Sequence, residues 1–340
     1  MMQKILELQR RLTGVAMPSG LEAPQAELLA ELARPFVDEV YRDTMGNVIC
    51  HKKGPGKKLM IPAHMDVIGM MITDVDARGF LRFEPLGGHA AFSLVGASVR
   101  TESGVRGSIW PDKDAGIGGK TPGEVDIHDL FIDIGAKSRE EAEKLAPIGS
   151  VCVFDAQPVL LAGDNLMSPY TDDLSGCIAL LLAMEQVKNS PNDLYFVFSV
   201  QEEVGCRGAG TAAFAIQPDM GIAVDVTVAA DTPEQLPHQR NQVRLGGGPA
   251  IKLKDGGMQA NPQVVAHLRR AAEQAGIVWQ DEILLGGSTD ARTMQASRSG
   301  VLAGCVSIPC RHVHSPGEIV NLRDIQQTGA LLAAAAMLEL

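Results

Sequence analysis

The 340-residue sequence predicts an α/β protein in which a mostly parallel sheet is covered by helices and a small β-barrel domain is inserted. Two observations lead to this prediction. Near both ends of the chain, apolar strand-like segments alternate with helix-like segments, which is typical of a sheet with helices on its faces. Between them, from about residue 72 to residue 164, the segments are short, β-rich and punctuated by glycine, which favours a small barrel.

The first 71 residues contain two predicted helices, a hairpin and a strand. Helical apolar spacing predicts the first helix over Gln3–Leu12. The segment Ser19-Gly-Leu-Glu22 has the capping-box pattern, so we expect the second helix to begin there. The segments Val37–Tyr41 and Val48–His51 flank a turn and predict a hairpin, which an apolar strand at Lys58–Pro62 follows.

The β-rich segment divides the chain into two predicted domains. Residues 1–71 and 165–340 are expected to form the principal domain, and residues 72–164 the insertion. Within the insertion, Ser138–Leu145 has a helical pattern with charged pairs. The apolar stretch Ala90–Val95 looks exposed, so we expect the insertion to build an oligomer.

The α/β pattern resumes after the insertion. Long apolar runs there indicate strands buried on both faces, and Asn261 followed by proline indicates a helix start. The predicted elements are a helix at Cys177–Val187, strands at Leu194–Val200 and Met220–Val224, a helix at Pro262–Ala275, a strand at Val301–Ile308 and a helix at Leu322–Leu340.

Composition excludes several function classes. The formal net charge of −11 argues against nucleic acid and against an anionic membrane surface as partners. The six cysteines show no Cys-x-x-Cys pair, and no apolar segment reaches the roughly 20 residues that span a bilayer. With no signal-peptide core at the N-terminus, we expect a cytoplasmic protein with reduced thiols.

Five candidate metal ligands lie at or near the ends of apolar runs. They are His64, Asp172, Glu203, Asp225 and His314. Two imidazoles and three carboxylates hold a pair of divalent metals if one carboxylate bridges them. Because ligands of open α/β sheets bind at the carboxyl ends of the strands, we expect these residues to meet at one edge.

Two more carboxylates are expected to support this site. Glu202 precedes a candidate ligand and has the position of a general base. Asp66 follows His64 at i+2, on the same face of an extended segment, where its carboxylate would accept the ring N–H. The pair His312 and His314 has the same spacing, and the residues alone leave open which of the two is a ligand.

Each motif has a structural alternative. His64 is equally explained as a structural histidine, and the pair Asp172-Asp173 as a helix N-cap. Glu202-Glu203 at a solvated strand end needs no metal. The glycine-rich segments Gly246–Gly248 and Gly286–Gly287 lack phosphate-loop spacing and are interpreted as turns.

Taken in order, the motifs resemble the tetrahedral (TET) aminopeptidases and glutamyl aminopeptidases, a family of dinuclear metallopeptidases with relatives once labelled endoglucanases. The resemblance covers almost the whole chain. It rests on Ala63-His-Met-Asp66, Leu130-Phe-Ile-Asp-Ile-Gly-Ala136, Asp172-Asp173, Gln201-Glu-Glu-Val-Gly205, Asp225-Val-Thr, Ser288-Thr-Asp-Ala291 and His312-Val-His-Ser-Pro-Gly-Glu318.

The resemblance implies a zinc-peptidase-like catalytic domain and two divalent metals per subunit, zinc or cobalt. The implied ligand sets are His64, Asp172 and Asp225 on one metal, and Asp172, Glu203 and His314 on the other. Asp172 would bridge the metals, Glu202 would be the base and Asp66 would orient His64. Asp173 and Asp290 match positions near the site.

The resemblance also implies a homo-oligomer built from dimers into a twelve-subunit shell. Two departures concern substrate preference and assembly. Leu174 stands where similar sequences usually carry arginine, and Ile109–Asp126 matches the family's insertion poorly.

The expected function is therefore a metal-dependent aminopeptidase that trims short peptides with a free N-terminus. A water held by two metals would attack the peptide, with Glu202 as the base. The alternatives are a glycan hydrolase, which would need two carboxylates and no metal, and a deacylase or carboxypeptidase on the same fold.

Overall fold

The computed structural model describes residues 1–112, 125–233 and 243–340. In these ranges the helices are α1 (Met2–Val15), α2 (Ala23–Ala33), α3 (Ala91–Leu94), α4 (Arg139–Leu145), α5 (Thr171–Gln186), α6 (Arg207–Ile216), α7 (Pro262–Ala275), α8 (Ala291–Gln295) and α9 (Leu322–Met337).

The strands of the same ranges belong to one large sheet and one barrel. They are β1 (Glu39–Arg42), β2 (Val48–Lys52), β3 (Lys58–His64), β4 (Gly69–Val75), β5 (Leu81–Leu86), β6 (Ser98–Thr101), β7 (Arg106–Pro111), β8 (Leu130–Asp133), β9 (Val151–Phe154), β10 (Val159–Leu160), β11 (Asn165–Ser168), β12 (Asp193–Ser199), β13 (Met220–Val228), β14 (Ala250–Lys254), β15 (Gln280–Ile283), β16 (Leu302–Arg311) and β17 (Glu318–Asn321).

The large sheet is parallel at its centre and antiparallel at its flanks. Its main path is β1-β2-β12-β3-β13-β16-β17-β11-β10. The four central strands β12, β3, β13 and β16 run parallel to one another. The predicted α/β fold class is confirmed. The sheet is more mixed than predicted, because hairpins such as β1–β2 add antiparallel strands at its edges.

A closed barrel is formed by β4-β5-β8-β7-β6-β9, which confirms the predicted small barrel. Its strands lie between Gly69 and Phe154. The division of the chain into domains at residues 72 and 164 stays a prediction. Of the poorly matching stretch at residues 109–126, residues 113–124 lie outside the described residues.

Helices cover the sheet through close contacts. Helix α5 is buried along nearly its whole length and packs against α9. A Cβ atom at Gly329 would lie only 2.9 Å from the carbonyl oxygen of Ala179, so glycine permits this approach. In the described part of the chain, no helix is long and apolar enough to cross a membrane.

The predicted helices at both ends of the chain are confirmed, with one correction. Asn261 caps α7 by accepting a hydrogen bond from the Gln263 amide. The capping box at Ser19–Glu22 is wrong: α2 begins at Ala23 without a side-chain cap. Glu22 instead accepts from the Gly20 and Gln201 amides, and Ser19 donates to Asp66.

Candidate metal centre

The carboxyl ends of the central parallel strands bring the predicted site residues to one edge of the sheet. His64 is the last residue of β3, and Glu202 and Glu203 follow β12. Asp225 lies within β13, and His314 follows β16. Neighbouring parallel strands end at the same edge, so the predicted convergence of these residues is observed.

Asp172 comes from the first turn of α5 and lies between two imidazole rings. Its Oδ1 is 3.1 Å from His64 Nε2, and its Oδ2 is 3.3 Å from His314 Nε2. His314 Nε2 is also 3.3 Å from Glu203 Oε2. One carboxylate therefore faces both histidines, each through a different oxygen, as a bridging ligand would.

Asp225 and Asp173 complete the cluster on the His64 side. Asp225 Oδ1 lies 3.9 Å from His64 Nε2. Two of the groups of potential ligand atoms that lie within 4.8 Å of one another share His64: one consists of His64, Asp173 and Asp225, and the other of His64, Asp172 and Glu203. The structure thus adds Asp173 to the predicted set. The peptide bond between Asp172 and Asp173 is cis.

The buried carboxylates have shifted acidities. Burial and the neighbouring carboxylates raise the pKa of Asp225 and Asp173 well above the usual range. Burial also raises the pKa of Glu203, although the hydrogen bond with His314 acts in the opposite direction. Burial raises the pKa of Asp172 too, but its hydrogen bonds with both histidines outweigh burial and leave the pKa below its usual value.

The two histidines respond to the same negative charge. Burial alone would lower the pKa of His64, but the hydrogen bond with Asp172 and the surrounding carboxylates raise it well above its ordinary value. For His314, Asp172 and Glu203 outweigh burial and raise the pKa to about 12. The cluster therefore attracts positive charge strongly.

This donor set fits divalent metal ions. Imidazole and carboxylate are the ligand types of zinc and related metals. Two buried acceptors here, Asp173 Oδ2 and Glu203 Oε1, have no hydrogen-bond partner among the described residues. An unsatisfied buried acceptor is costly, and a cation bound at the cluster would satisfy both oxygens.

Asp66 lies beneath the cluster, with a role that differs from the prediction. The ring atom His64 Nδ1 is 3.0 Å from the backbone oxygen of Asp66 and 3.6 Å from its Oδ1. The backbone carbonyl, not the carboxylate, is thus the acceptor of the ring N–H, which directs Nε2 towards the ligands. The Asp66 carboxylate accepts from Ser19 Oγ and from the amides of Glu202 and Glu203.

Glu318 is a supporting residue that the sequence reasoning missed. This buried carboxylate accepts hydrogen bonds from the Asp172 amide at 3.0 Å and the His314 amide at 2.9 Å. A third hydrogen bond comes from Thr171 Oγ1 at 2.9 Å. The motif from His312 to Glu318 contained the residue, but only the fold shows that it reaches Asp172.

Several non-glycine residues near the cluster have positive φ angles. They include Tyr170 before α5, Gln201 before the two glutamates, Cys206 before α6, and His312 and His314. Positive φ is uncommon for such residues and tends to occur where the surrounding structure demands it.

Of the two histidines in the motif, it is His314 that reaches the carboxylates, while His312 lines a neighbouring pocket. Leu174, at the position where similar sequences usually carry arginine, is fully buried in the core.

A cavity of about 600 Å³ opens beside the cluster. Glu202 lines it, and burial raises the pKa of this carboxyl well above the usual range. Apolar side chains of Val226, Val228 and Leu284 form part of the wall. Lys252 also lines the cavity, and its buried Nζ lies 3.1 Å from Glu282 Oε1. A peptide end of a few residues would fit this space.

Comparisons with known proteins identify the family of this chain. A model of the M42 glutamyl aminopeptidases matches residues 46–331. The chain is 36% identical over 332 residues to a lysyl aminopeptidase of Pyrococcus furiosus, covering 92% of this chain and 90% of that protein.

Solved structures give the same result. The aminopeptidase APDkam598 of the archaeon Desulfurococcus kamchatkensis superposes with a TM-score of 0.93 at 39% identity, covering 99% of this chain and 95% of the other. The TET1 peptidase of Pyrococcus horikoshii, which can assemble into a tetrahedron or a large octahedral shell, has a TM-score of 0.87 at 29% identity, with coverages of 98% and 99%.

Proposed function

This chain belongs to the M42 glutamyl aminopeptidase family and is an aminopeptidase, and we propose that it uses two divalent metal ions and Glu202 as the general base. The observation that carries this proposal is Asp172 between His64 and His314, with Asp225 and Glu203 beside them. The two histidines face different oxygens of Asp172, and this arrangement supports a carboxylate that bridges two ions.

In the proposed assignment, His64, Asp172 and Asp225 hold one metal, and Asp172, Glu203 and His314 hold the other. Asp173, which is within reach of the first group, supports it. When bound, the metals, zinc or cobalt, would polarise the scissile carbonyl and lower the pKa of water.

Glu202 is proposed to move the proton. Its carboxylate lines the cavity beside the ligands, where it would take a proton from the attacking water and deliver it to the leaving amine. Asp66 is proposed as a positioning residue. Its carboxylate accepts both glutamate amides, which fixes the turn that presents Glu202 to the cavity and Glu203 to the cluster.

The proposed substrates are short peptides with a free N-terminus. A cationic α-amino group is attracted by the surplus of carboxylates around the two histidines. An N-acetylated peptide should therefore resist cleavage, while the same peptide with a free amine should be trimmed stepwise. Equal cleavage of both would point to a deacylase or an endopeptidase. Release of the C-terminal residue would point to a carboxypeptidase.

A glycan hydrolase is the other alternative. Such enzymes use two carboxylates and no metal, so a chelator would leave their activity intact. The clustering of two histidines with the carboxylates favours the peptidase instead. Turnover of a β-glucan by chelated protein would reverse this choice.

The inserted segment is proposed to build a homo-oligomer. Predicted ligands all lie outside residues 72–164, while Phe92 and Trp110 within this segment are 49% and 48% exposed. Because the Pyrococcus horikoshii TET1 peptidase forms closed shells, dimers that assemble into a dodecamer are proposed here as well. Light scattering tests this, and a monomer of 36.1 kDa at all concentrations would overturn it.

A cytoplasmic location is proposed from the cysteines. All six are free and buried, and none forms a disulfide. Reduced thiols are typical of proteins that stay in a reducing compartment.

A further inference from the structure

A third group of potential ligands includes Glu202 itself. One ligand atom each from Glu202, Cys206 and Asp290 lies within 4.8 Å of the others. The Cys206 thiol donates a hydrogen bond to Glu202 Oε1 at 3.0 Å, and its sulfur lies 3.9 Å from Ser288 Oγ. Glu202 and Cys206 lie four positions apart in the segment between β12 and α6, whereas Asp290 comes from the distant start of α8.

Asp290 supplies an independent sign that a cation belongs here. The residue is 2% exposed. Its Oδ2 accepts a hydrogen bond from Ser199 Oγ, but its Oδ1 has no partner among the described residues. A buried carboxylate oxygen without a donor is costly, and a bound cation would remove that cost.

We propose that Glu202, Cys206 and Asp290 form a third metal site. When zinc or a similar divalent cation is present in excess, the ion binds at this site and inhibits the enzyme. A thiolate together with carboxylates favours zinc or cobalt over magnesium or calcium. The inhibition rests on the proposed role of Glu202 as base, whereas the binding of the cation does not.

The chemistry of binding is an exchange of a proton for a cation. The Cys206 thiol releases its proton to solvent, and the sulfur and the two carboxylates then bind the ion. Zinc ligands lie roughly 2.0–2.3 Å from the metal, so the three side chains must close in around the ion. Glu202 and Cys206 are already in contact, and the Ser288 hydroxyl or a water is available as a fourth ligand.

Access to this site is through the catalytic cavity. Cys206, Glu202 and Ser288 all line that cavity. A cation that binds Glu202 there prevents the carboxylate from accepting a proton. Excess metal therefore stops the reaction while the two proposed catalytic metals remain in place.

Cobalt provides a direct probe, because a thiolate bound to cobalt has an intense near-ultraviolet charge-transfer absorption. None of the residues proposed to hold the two catalytic metals is a cysteine. The metal-free protein would be titrated with cobalt while bound metal, absorption and peptide hydrolysis are followed. We expect a third equivalent of cobalt to bind, to produce the thiolate band and to lower the activity at least about tenfold. Loss of a general base lowers the rate of a reaction by roughly 10²–10⁴-fold.

The test variant is Cys206→Ser, which keeps a hydroxyl donor beside Glu202. This variant should bind two equivalents of cobalt and show no thiolate band. The activity that it has with two equivalents bound should not fall as the cobalt concentration is raised further. Cys305→Ser is the matched control, because Cys305 is also buried and lies 3.7 Å from a serine hydroxyl, that of Ser307. This control should behave like the unmodified protein.

Three outcomes would overturn the proposal. The metal site is excluded if the unmodified protein shows no thiolate band, or if Cys305→Ser rather than Cys206→Ser abolishes it. The inhibitory role is excluded if the band forms while activity is unchanged. A failure of the proposed catalytic function is distinguishable, because chelated protein would then remain active whatever the band shows.

Discussion

The Glu202 amide donates a hydrogen bond to Asp66 Oδ1 at 3.0 Å. The strand end that carries the proposed ligand His64 therefore also fixes the turn that carries the proposed base. Ser19 Oγ donates to the second oxygen of Asp66 at 2.6 Å, so the segment before α2 takes part in the same arrangement. Displacement of this carboxylate would move the base and the ligands together.

Glu202→Gln tests the proposed base. The amide has the same shape but cannot accept the proton, so the rate should fall by roughly 10²–10⁴-fold with both metals retained. Peptide hydrolysis and metal analysis of the purified variant measure the two effects. Glu203→Gln is the matched comparison and should lose metal. If Glu202→Gln loses metal instead, the roles of the two glutamates are exchanged.

Metal removal should abolish activity and lower thermal stability. Dialysis against a chelator would remove the proposed ions from among the buried carboxylates, and zinc or cobalt should restore both properties. A ligand at 100 times its Kd stabilises the folded state by about 2.7 kcal/mol, which thermal unfolding detects. His64→Ala and His314→Ala should lose this metal-dependent rise in Tm. His128→Ala, at an exposed histidine of the barrel domain, should keep it.

Glu318→Gln should weaken metal binding. The two Glu318 oxygens accept the Asp172 and His314 amides, and an amide side chain would turn its NH2 group towards one of these donors. Changes in such supporting contacts typically cost 10–100-fold in metal affinity. Calorimetric titration with zinc measures this loss, and hydrolysis at saturating metal should recover most of the rate.

A matched control for Glu318→Gln is Asp324→Asn. Asp324 is also a buried carboxylate that accepts backbone amides, those of Gly246 and Gly248, but it lies outside the cluster. Unchanged zinc affinity in Glu318→Gln, or an equal loss in both variants, would contradict the proposed support of the ligands.

Asp324 also predicts a pH dependence of stability. Burial raises its pKa from 3.8 to about 6, against the opposing effect of the two glycine amides. The folded protein therefore favours the protonated form. This contribution to the free energy of unfolding is fully present below about pH 4 and is lost as pH rises through about 6. Its size is about 3 kcal/mol.

Thermal unfolding of metal-free protein between pH 4 and pH 7 measures this contribution. The Tm of Asp324→Asn should fall less over this interval than that of the unmodified protein, because asparagine does not ionise. Asp281→Asn, at a surface residue paired with Arg269, controls for the removal of a carboxylate. Parallel pH curves for Asp324→Asn and the unmodified protein would exclude the predicted shift.

The sequence was sufficient to predict those elements that are encoded by a local motif or by a repeated apolar pattern. Asn261 with proline after it predicted the start of α7, and apolar runs predicted the central strands. Because parallel strands end together, the convergence of His64, Glu203 and Asp225 followed from their places after or within those strands. His314 needed the family resemblance, since the residues alone did not distinguish it from His312.

Contacts between distant segments could not be predicted in this way. Ser19 looked like a helix cap, but its hydroxyl reaches Asp66, 47 positions away. Glu318 meets Asp172 across 146 positions, and Cys206 was judged only by cysteine spacing. Hydrogen bonds of this kind depend on how the loops above the sheet fold over one another. The apolar periodicity of the sequence does not encode this arrangement of the loops.

The spread of the ligands along the chain has a consequence for biosynthesis. His64 and His314 face the same carboxylate, Asp172, only after β16, close to the end of the sequence, has joined the sheet. With the proposed ligand sets, a nascent chain would present its carboxylates before it could hold a pair of ions, and loading with metal would be a late event. Uptake of the metal pair should therefore indicate that the fold is complete, and fragments that end before β16 should contain no metal pair after synthesis.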